Sequence, residues 1–280
     1  MFDFLFPKKS HRHISAYFEA VEVDIHSHLL PAIDDGSPNL EVSMQLIRQM
    51  CELGFKKIIT TPHISELYPN NGDSVLDGLY KVNRQLKIEG IKVELTVGAE
   101  YMINDIFEQL VLSDEPLLTL PNKHILVEMP HLSEPVNLYK VLSLLKSKGY
   151  TPVLAHPERY RFYNKNLTQY EKLKDYGCLF QVNMLSMVGY YGSAISDCAW
   201  LLLNEEMIDF IGSDVHHQRH IEAINNGMTT ACQRILNYYP FKNKSLFGRI
   251  APQPSKEAFS SEITEGEKRT YKQKTYKYEK

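Results

Sequence analysis

The residues of this chain best suited to chemistry are imidazoles and carboxylates in short clusters. His26 and His28 form one pair at i, i+2 spacing, and Asp214 and His216 form another. His63, Glu100, Glu128 and His156 stand singly, each behind a run rich in aliphatic and β-branched residues. Nitrogen and oxygen donors without thiolates suit divalent cations such as manganese, zinc or iron. A lone histidine is more often a satisfied core or surface residue. Asp34-Asp35-Gly36 closely follows the first pair and reads either as a turn or as the source of one more carboxylate ligand. His11 and His13 share the spelling of the first pair but follow no strand-like run, so they read as part of a solvated extension. His124 begins a run instead of ending one. His131, His217 and His220 fall in loops or helix starts, in a supporting position at best.

The runs at 21–26, 57–61, 92–97, 124–129, 152–156, 178–183 and 208–212 read as strands. Residues i and i+2 of a strand share a face, so both spaced pairs project together. Helical stripes follow, for example Leu40, Met44, Ile47, Met50 and Cys51, then Val136, Tyr139, Leu142 and Leu145. These stripes stop at Gly54 and Gly149, as helix ends often do. Near-continuous apolar strands alternating with helices predict a parallel sheet covered by helices. No G-x-G-x-x-G follows the first strand, which weakens a dinucleotide fold. Seven βα units favour a closed barrel, whose active site lies at the C-terminal strand ends. Six of the seven expected strands deliver a His, Asp or Glu there. The expectation is one α/β domain over 21–250, with an irregular extension at 1–20 and a disordered tail at 251–280.

Composition narrows the function. The 280 residues are 43% hydrophobic and 23% charged, with a net charge of −3, which excludes a wholly disordered or collagenous chain. A dedicated nucleic-acid binder would carry a basic excess. The residues six beyond Cys51, Cys178, Cys198 and Cys232 are Lys57, Met184, Asn204 and Tyr238. None is arginine, so the C-x5-R loop of cysteine-dependent phosphatases is absent. No apolar run approaches the roughly 18 residues of a membrane helix. Asp3 interrupts the apolar N-terminus and the basic residues follow it, the wrong order for a signal peptide, so a cytoplasmic protein is expected.

Read in order, Asp24-Ile-His26-Ser-His28, Asp34-Asp35-Gly36, Thr61-Pro62-His63, Gly98-Ala99-Glu100, Ala155-His156-Pro157-Glu158-Arg159-Tyr160, Gln181-Val-Asn183 and Ser213-Asp214-Val-His216 resemble the PHP (polymerase and histidinol phosphatase) superfamily. The narrower resemblance is to bacterial manganese-dependent protein-tyrosine phosphatases of the CpsB/YwqE type. It covers about residues 22–235, and the His-Pro-Glu-Arg-Tyr element is its most specific part. The resemblance implies a distorted (β/α)7 TIM-like barrel holding three divalent metal ions, Mn2+ first among them, with Fe or Zn as alternatives. One metal would take His26, His28, Glu100 and Asp214. Glu100 would bridge to a second, with Glu128 and His156. Asp35, His63 and His216 would hold the third. Arg159 would clamp the phosphate, with Arg219 in a second, approximately aligned position.

Closely spaced metals can generate a bridging hydroxide that attacks phosphorus in line, while guanidinium donors neutralise the equatorial oxygens. The implied substrate is a phosphotyrosine protein, the Tyr-rich tail of a bacterial tyrosine kinase that controls capsule or exopolysaccharide. The alternative is a small-molecule phosphomonoesterase of the histidinol-phosphatase type. A phosphodiesterase or nuclease fits the acidic balance poorly, and an idle binding module would not need so complete a ligand set. Tyr271, Tyr276 and Tyr278 lie among lysines near the C-terminus. That segment reads as a solubilising end, or alternatively as a docking or phosphorylation segment.

Overall fold

The computed structural model describes residues 16–113, 115–163 and 165–248. The extension around His11 and His13 and the Tyr/Lys-rich segment lie outside the described residues. Within the segment read as an extension, Phe18 is already buried and stacks on Phe55 with ring centroids 4.4 Å apart.

Nine short parallel strands trace seven positions around a ring. They are β1 (Val23–Asp24), β2 (Lys57–Thr60), β3 (His63–Ile64), β4 (Glu94–Val97), β5 (Glu100–Met102), β6 (His124–Glu128), β7 (Thr151–Ala155), β8 (Leu179–Asn183) and β9 (Phe210–Gly212). One sheet runs β1-β2-β4, the other β3-β5-β6-β7-β8-β9. The second and third expected strands each break near the top and resume. Pro62, which has no N–H to give a ladder, separates β2 from β3. Gly98 and Ala99 separate β4 from β5. A Cβ at Gly98 would meet Leu120 at 3.2 Å, so this break packs against the chain leading into β6. The resumed segments pair with each other, His63 opposite Glu100, and so bring these two side chains into register. Backbone bonds from Asp214 N–H to His26 O (2.7 Å) and from His28 N–H to Val215 O (2.9 Å) then link the last strand to the first.

Ten helices occur among the described residues: α1 (Leu40–Glu52), α2 (Gly72–Glu89), α3 (Asp105–Leu112), α4 (Leu138–Ser147), α5 (Leu167–Asp175), α6 (Met184–Met187), α7 (Ser193–Asn204), α8 (Gln218–Gly227), α9 (Thr230–Tyr238) and α10 (Asn243–Phe247). The stripe of α1 is buried as its spacing predicts, through Met44, Ile47 and Met50. Val136 departs from expectation. Its helix starts at Leu138, and Val136 is fully exposed in the preceding loop. Among the described residues no helix is long and apolar enough to cross a membrane.

Side-chain alternation divides the core in two. Ile125, Val127 and Met129 pack outward into a large cluster shared with the helices. Leu126 belongs instead to a small cluster with Val23, Ile25, Ile59, Val153, Ala155 and Phe210 inside the ring. Glu128 stands two residues beyond Leu126, so the period of two sets it above this inner plug.

The lower end is closed by Asn243. Its side chain accepts from Ile211 N–H (3.1 Å) and donates to Ile211 O (2.7 Å) and Val23 O (2.9 Å). Asn243→Ala strands three buried backbone groups that no water reaches. It should lower unfolding free energy by about 3 kcal/mol, measured by urea denaturation.

Candidate metal centre

The nine residues expected as ligands meet at the C-terminal end of the ring. Their donor atoms fall into four overlapping groups, each with all atoms within 4.8 Å: His28, Asp35, His63 and His216; His26, His28 and Asp214; His26, Glu100 and His156; and His63, Glu100 and Glu128. Glu100 is the hub. Its Oε2 lies 3.1 Å from His26 Nε2, 3.4 Å from His28 Nε2 and 3.2 Å from His63 Nδ1. Its Oε1 lies 3.2 Å from His156 Nε2. Asp35 Oδ1 faces His63 Nε2 at 3.5 Å and His216 Nε2 at 3.6 Å.

Outer partners fix the direction of the inner donors. His26 Nδ1 is 2.7 Å from Gln181 Oε1, which leaves Nε2 turned inward. His28 Nδ1 is 2.8 Å from Asp34 Oδ2. Asp34 also accepts from the backbone N–H of His63 (3.1 Å) and Gly36 (3.0 Å). The two adjacent aspartates therefore separate by role: Asp34 braces the loop, and Asp35 offers an oxygen to the cluster. Gly36 is required for this loop, because a Cβ there would sit 2.2 Å from His28 O. Asp214 divides its oxygens. Oδ2 accepts from Asn183 Nδ2 (2.6 Å) and Arg159 Nη1 (3.0 Å). Oδ1 faces His26 Nε2 at 3.4 Å and His216 Nδ1 at 3.4 Å. His156 and Asp214 both hold left-handed backbone, with φ of 38° and 51°. Strain of this kind in non-glycine residues persists where the surroundings over-determine it.

The donor set fits cations. Bonds of about 2.1 Å to one ion place neighbouring donors roughly 3.0–3.5 Å apart, the separations found here. The four carboxylates Asp35, Glu100, Glu128 and Asp214 crowd one pocket, and burial together with Glu100 pushes Glu128 upward. Burial opposes a charged His26, but Glu100 and Asp214 outweigh it and push the imidazole up to about 10. Burial likewise opposes a charged His63, and Glu100 with Glu128 lifts it to about 10. Protons thus take the place of positive charge that the carboxylates demand.

Above the donors lies a cavity of about 470 Å3, lined by cluster residues and by His131, Arg159, Tyr190, Tyr191, His217 and His220. The Arg159 guanidinium sits 4.5 Å from the centre of the Tyr191 ring, a cation–π contact. It does not pair with Glu158, which is buried and accepts from Asn183 N–H at 2.9 Å. Arg219 departs from its expected place. It is exposed on α8 and outside the cavity lining, whereas the exposed N-cap His217 and the buried His220 line the cavity. Gln181, Asn183, Tyr190 and Tyr191 are the site residues that charge-based reading passes over. For the two amides the signal is that the sixth expected strand ends in Gln181 and Asn183 at i, i+2 spacing. The four cysteines are free, and burial pushes Cys178 up to about 12, far from a thiolate nucleophile.

A parallel α/β ring carrying nine nitrogen and oxygen donors on its C-terminal rim has the form of a metal-dependent hydrolase. The chain belongs to the CpsB/CapC capsular polysaccharide synthesis family, whose profile matches residues 22–237. It is 32% identical to tyrosine-protein phosphatase YwqE of Bacillus subtilis over 196 residues, covering 70% of this chain and 77% of that protein. Putative tyrosine-protein phosphatase CapC of Staphylococcus aureus is 28% identical over 195 residues, covering 69% and 76%. Crystal structures of YwqE from B. subtilis and CpsB from Streptococcus pneumoniae, described as unique metal-dependent tyrosine phosphatases, match with a TM-score of 0.70 at 29% identity, over 84% of this chain and 99% of that one.

The two aspartates make a direct test. Asp34→Ala should cost about 2–4 kcal/mol in urea unfolding, because it strands His28 Nδ1 and two backbone N–H groups. Asp35→Ala, whose side chain is half exposed, should stay within about 0.5 kcal/mol of wild type.

Proposed function

We propose that this chain is a metal-dependent protein-tyrosine phosphatase. The observation that carries this reading is the meeting of all nine donors beneath a cavity whose wall holds Arg159, in a family whose named members are tyrosine-protein phosphatases. Three divalent cations, with Mn2+ first among them, would be held by His26, His28, Glu100 and Asp214, by Glu100, Glu128 and His156, and by Asp35, His63 and His216. Such cations supply an activated water and neutralise the phosphoryl oxygens.

The protein's own groups do the rest. Gln181 and Asp34 hold the imidazoles of His26 and His28 with Nε2 inward. Arg159 keeps Nη1 on Asp214 (3.0 Å) and Nη2 beside His131 Nε2 (3.4 Å) and lies over Tyr191, so its guanidinium is held at the cavity wall before substrate arrives. From there it meets the equatorial oxygens of the transferring phosphoryl group, where charge spreads in the transition state. Arg219 is left out of this scheme because of its outward position. The tyrosine leaving group has an ordinary pKa near 10, so it departs without a strong acid. Tyr190, Tyr191 and His131 give the cavity an aromatic wall suited to a phenyl ring. The substrate would be a phosphotyrosine protein, in this family's setting the Tyr-rich tail of a bacterial tyrosine kinase in capsule or exopolysaccharide control.

Chelation should abolish hydrolysis of an aryl phosphate and added Mn2+ should restore it. Full turnover by a sample shown by elemental analysis to be metal-free would overturn the reading. Arg159→Ala should retain metal but lose about 10²-fold or more in kcat. Glu100→Ala should lose metal and turnover together. Replacing all four cysteines with serine should leave metal dependence intact.

Metal uptake should also release protons. With His26 and His63 raised to about 10 in the metal-free protein, both are protonated at neutral pH and must lose that proton to bind a cation. Affinity should therefore rise with pH between about 6 and 9. Calorimetric titration of Mn2+ in two buffers of different ionisation enthalpy measures the release.

A further inference from the structure

Leu67, Leu132 and Val136 are the three most exposed large apolar side chains among the described residues. All three stand on loops that leave the C-terminal ends of strands. Leu67 follows β3, and Leu132 and Val136 follow β6. Ile106, also exposed, opens α3 just after β5. The order β3-β5-β6 makes these three loops consecutive around the rim. Other exposed apolar residues, such as Tyr80 and Ile88 of α2 or Tyr238 of α9, are scattered over the helices. Single exposures of that kind are ordinary, whereas an apolar group on one functional edge is not.

These loops are held in place. Glu134, between Leu132 and Val136, accepts from Tyr163 Oη at 2.7 Å and from Tyr139 Oη at 3.4 Å. Asn137, next to Val136, donates to Glu108 Oε2 (3.0 Å) and Asp105 Oδ1 (3.4 Å), which flank Ile106. The Leu67 loop is closed by Ser65 N–H to Tyr68 O (3.0 Å), and Tyr68 stacks on the candidate ligand His63. Polar residues fix the backbone while apolar residues occupy the tips. Leu132 directly follows His131, which lines the cavity, and Leu67 precedes Tyr68, which stacks on the lining residue His63, so these two tips adjoin the mouth of the site.

We infer that this arc is a docking surface for the chain of a phosphotyrosyl protein, gripping apolar or aromatic side chains near the phosphotyrosine. The inference rests on the phosphatase reading above. A phosphotyrosine placed in the cavity carries polypeptide on both sides, and that polypeptide must cross the rim. Within about four residues an extended chain spans roughly 13 Å, enough to lay one or two side chains on the loop tips. The surface therefore selects among phosphotyrosine sites by their neighbours, while the cavity acts on the phosphate itself.

The test uses the full chain loaded with Mn2+ and the triple variant Leu67→Ser, Leu132→Ser, Val136→Ser. Substrates are p-nitrophenyl phosphate and two phosphotyrosyl peptides, one flanked by Leu and one by Ser and Gly. Wild type should favour the Leu-flanked peptide by about tenfold in kcat/KM, through KM. The variant should lose that preference and match wild type on p-nitrophenyl phosphate within about twofold. Equal wild-type kinetics on both peptides would overturn the docking surface, as would a variant that keeps the preference. So would a wild-type dimer that the triple variant turns into a monomer by light scattering, since the arc would then face a second copy. Wild type inert on p-nitrophenyl phosphate would instead overturn the phosphatase reading, and the inference with it.

Discussion

One buried carboxylate organises the open end of the ring. Glu100 brings both oxygens within reach of four imidazoles, three on Oε2 and one on Oε1. It gets there because the third strand stops at Gly98 and Ala99 and restarts opposite His63. A continuous strand would follow one sheet to its end. The interruption instead joins the two sheets at their top and places an acid where the histidines converge. Burial opposes the Glu100 charge, but His26 and His63 hold its pKa well below the usual carboxylate range. The surrounding donors are arranged around that compensation.

Support for the cluster comes from uncharged or outward-lying groups. Gln181 and Asn183 are amides on the inner side of β8, one steering His26 and the other Asp214. Gly212 clears the space between them, since a Cβ there would lie 2.6 Å from Gln181 and 2.7 Å from the Cβ of His26. Asn70 donates to both Ile33 O (2.8 Å) and His63 O (2.9 Å), tying the Asp34–Asp35 loop to the resumed second strand. Donor geometry is thus set by a shell of amides, backbone groups and the Asp34 carboxylate behind it.

The ligand residues were legible in the sequence because strand periodicity and residue type agree. A histidine or acid at the end of an apolar run has one face to occupy, and six runs repeat the pattern. What sequence could not separate was Asp34 from Asp35, because adjacent residues of one type differ only in where the loop turns. The expected runs stop at 61 and 97, so what stayed hidden was that each strand resumes beyond Pro62 and Gly98 as a segment of only two or three residues. Val136 matched a helical stripe by spacing alone. The helix begins two residues later, at a turn set by Pro135, whose carbonyl accepts from Leu138 N–H. Arg219 came only from an approximate alignment to the resembled family, and its place on α8 leaves it exposed.

The two ends of the ring differ in how their demands are met. At the lower end Asn243 satisfies three backbone groups, and Phe210, Phe247 and His124 pack as an aromatic plug. At the upper end His156 and Asp214 hold costly backbone angles, and His156 Nδ1 is buried without a hydrogen-bond partner among the described residues. Cohesion is therefore graded along the barrel axis. The lower end satisfies its own polar groups, and the lip is the part with most to gain from a ligand. On such a scaffold a cation bound at the lip would add to a fold whose lower end is already satisfied, and its loss would be felt first at the lip.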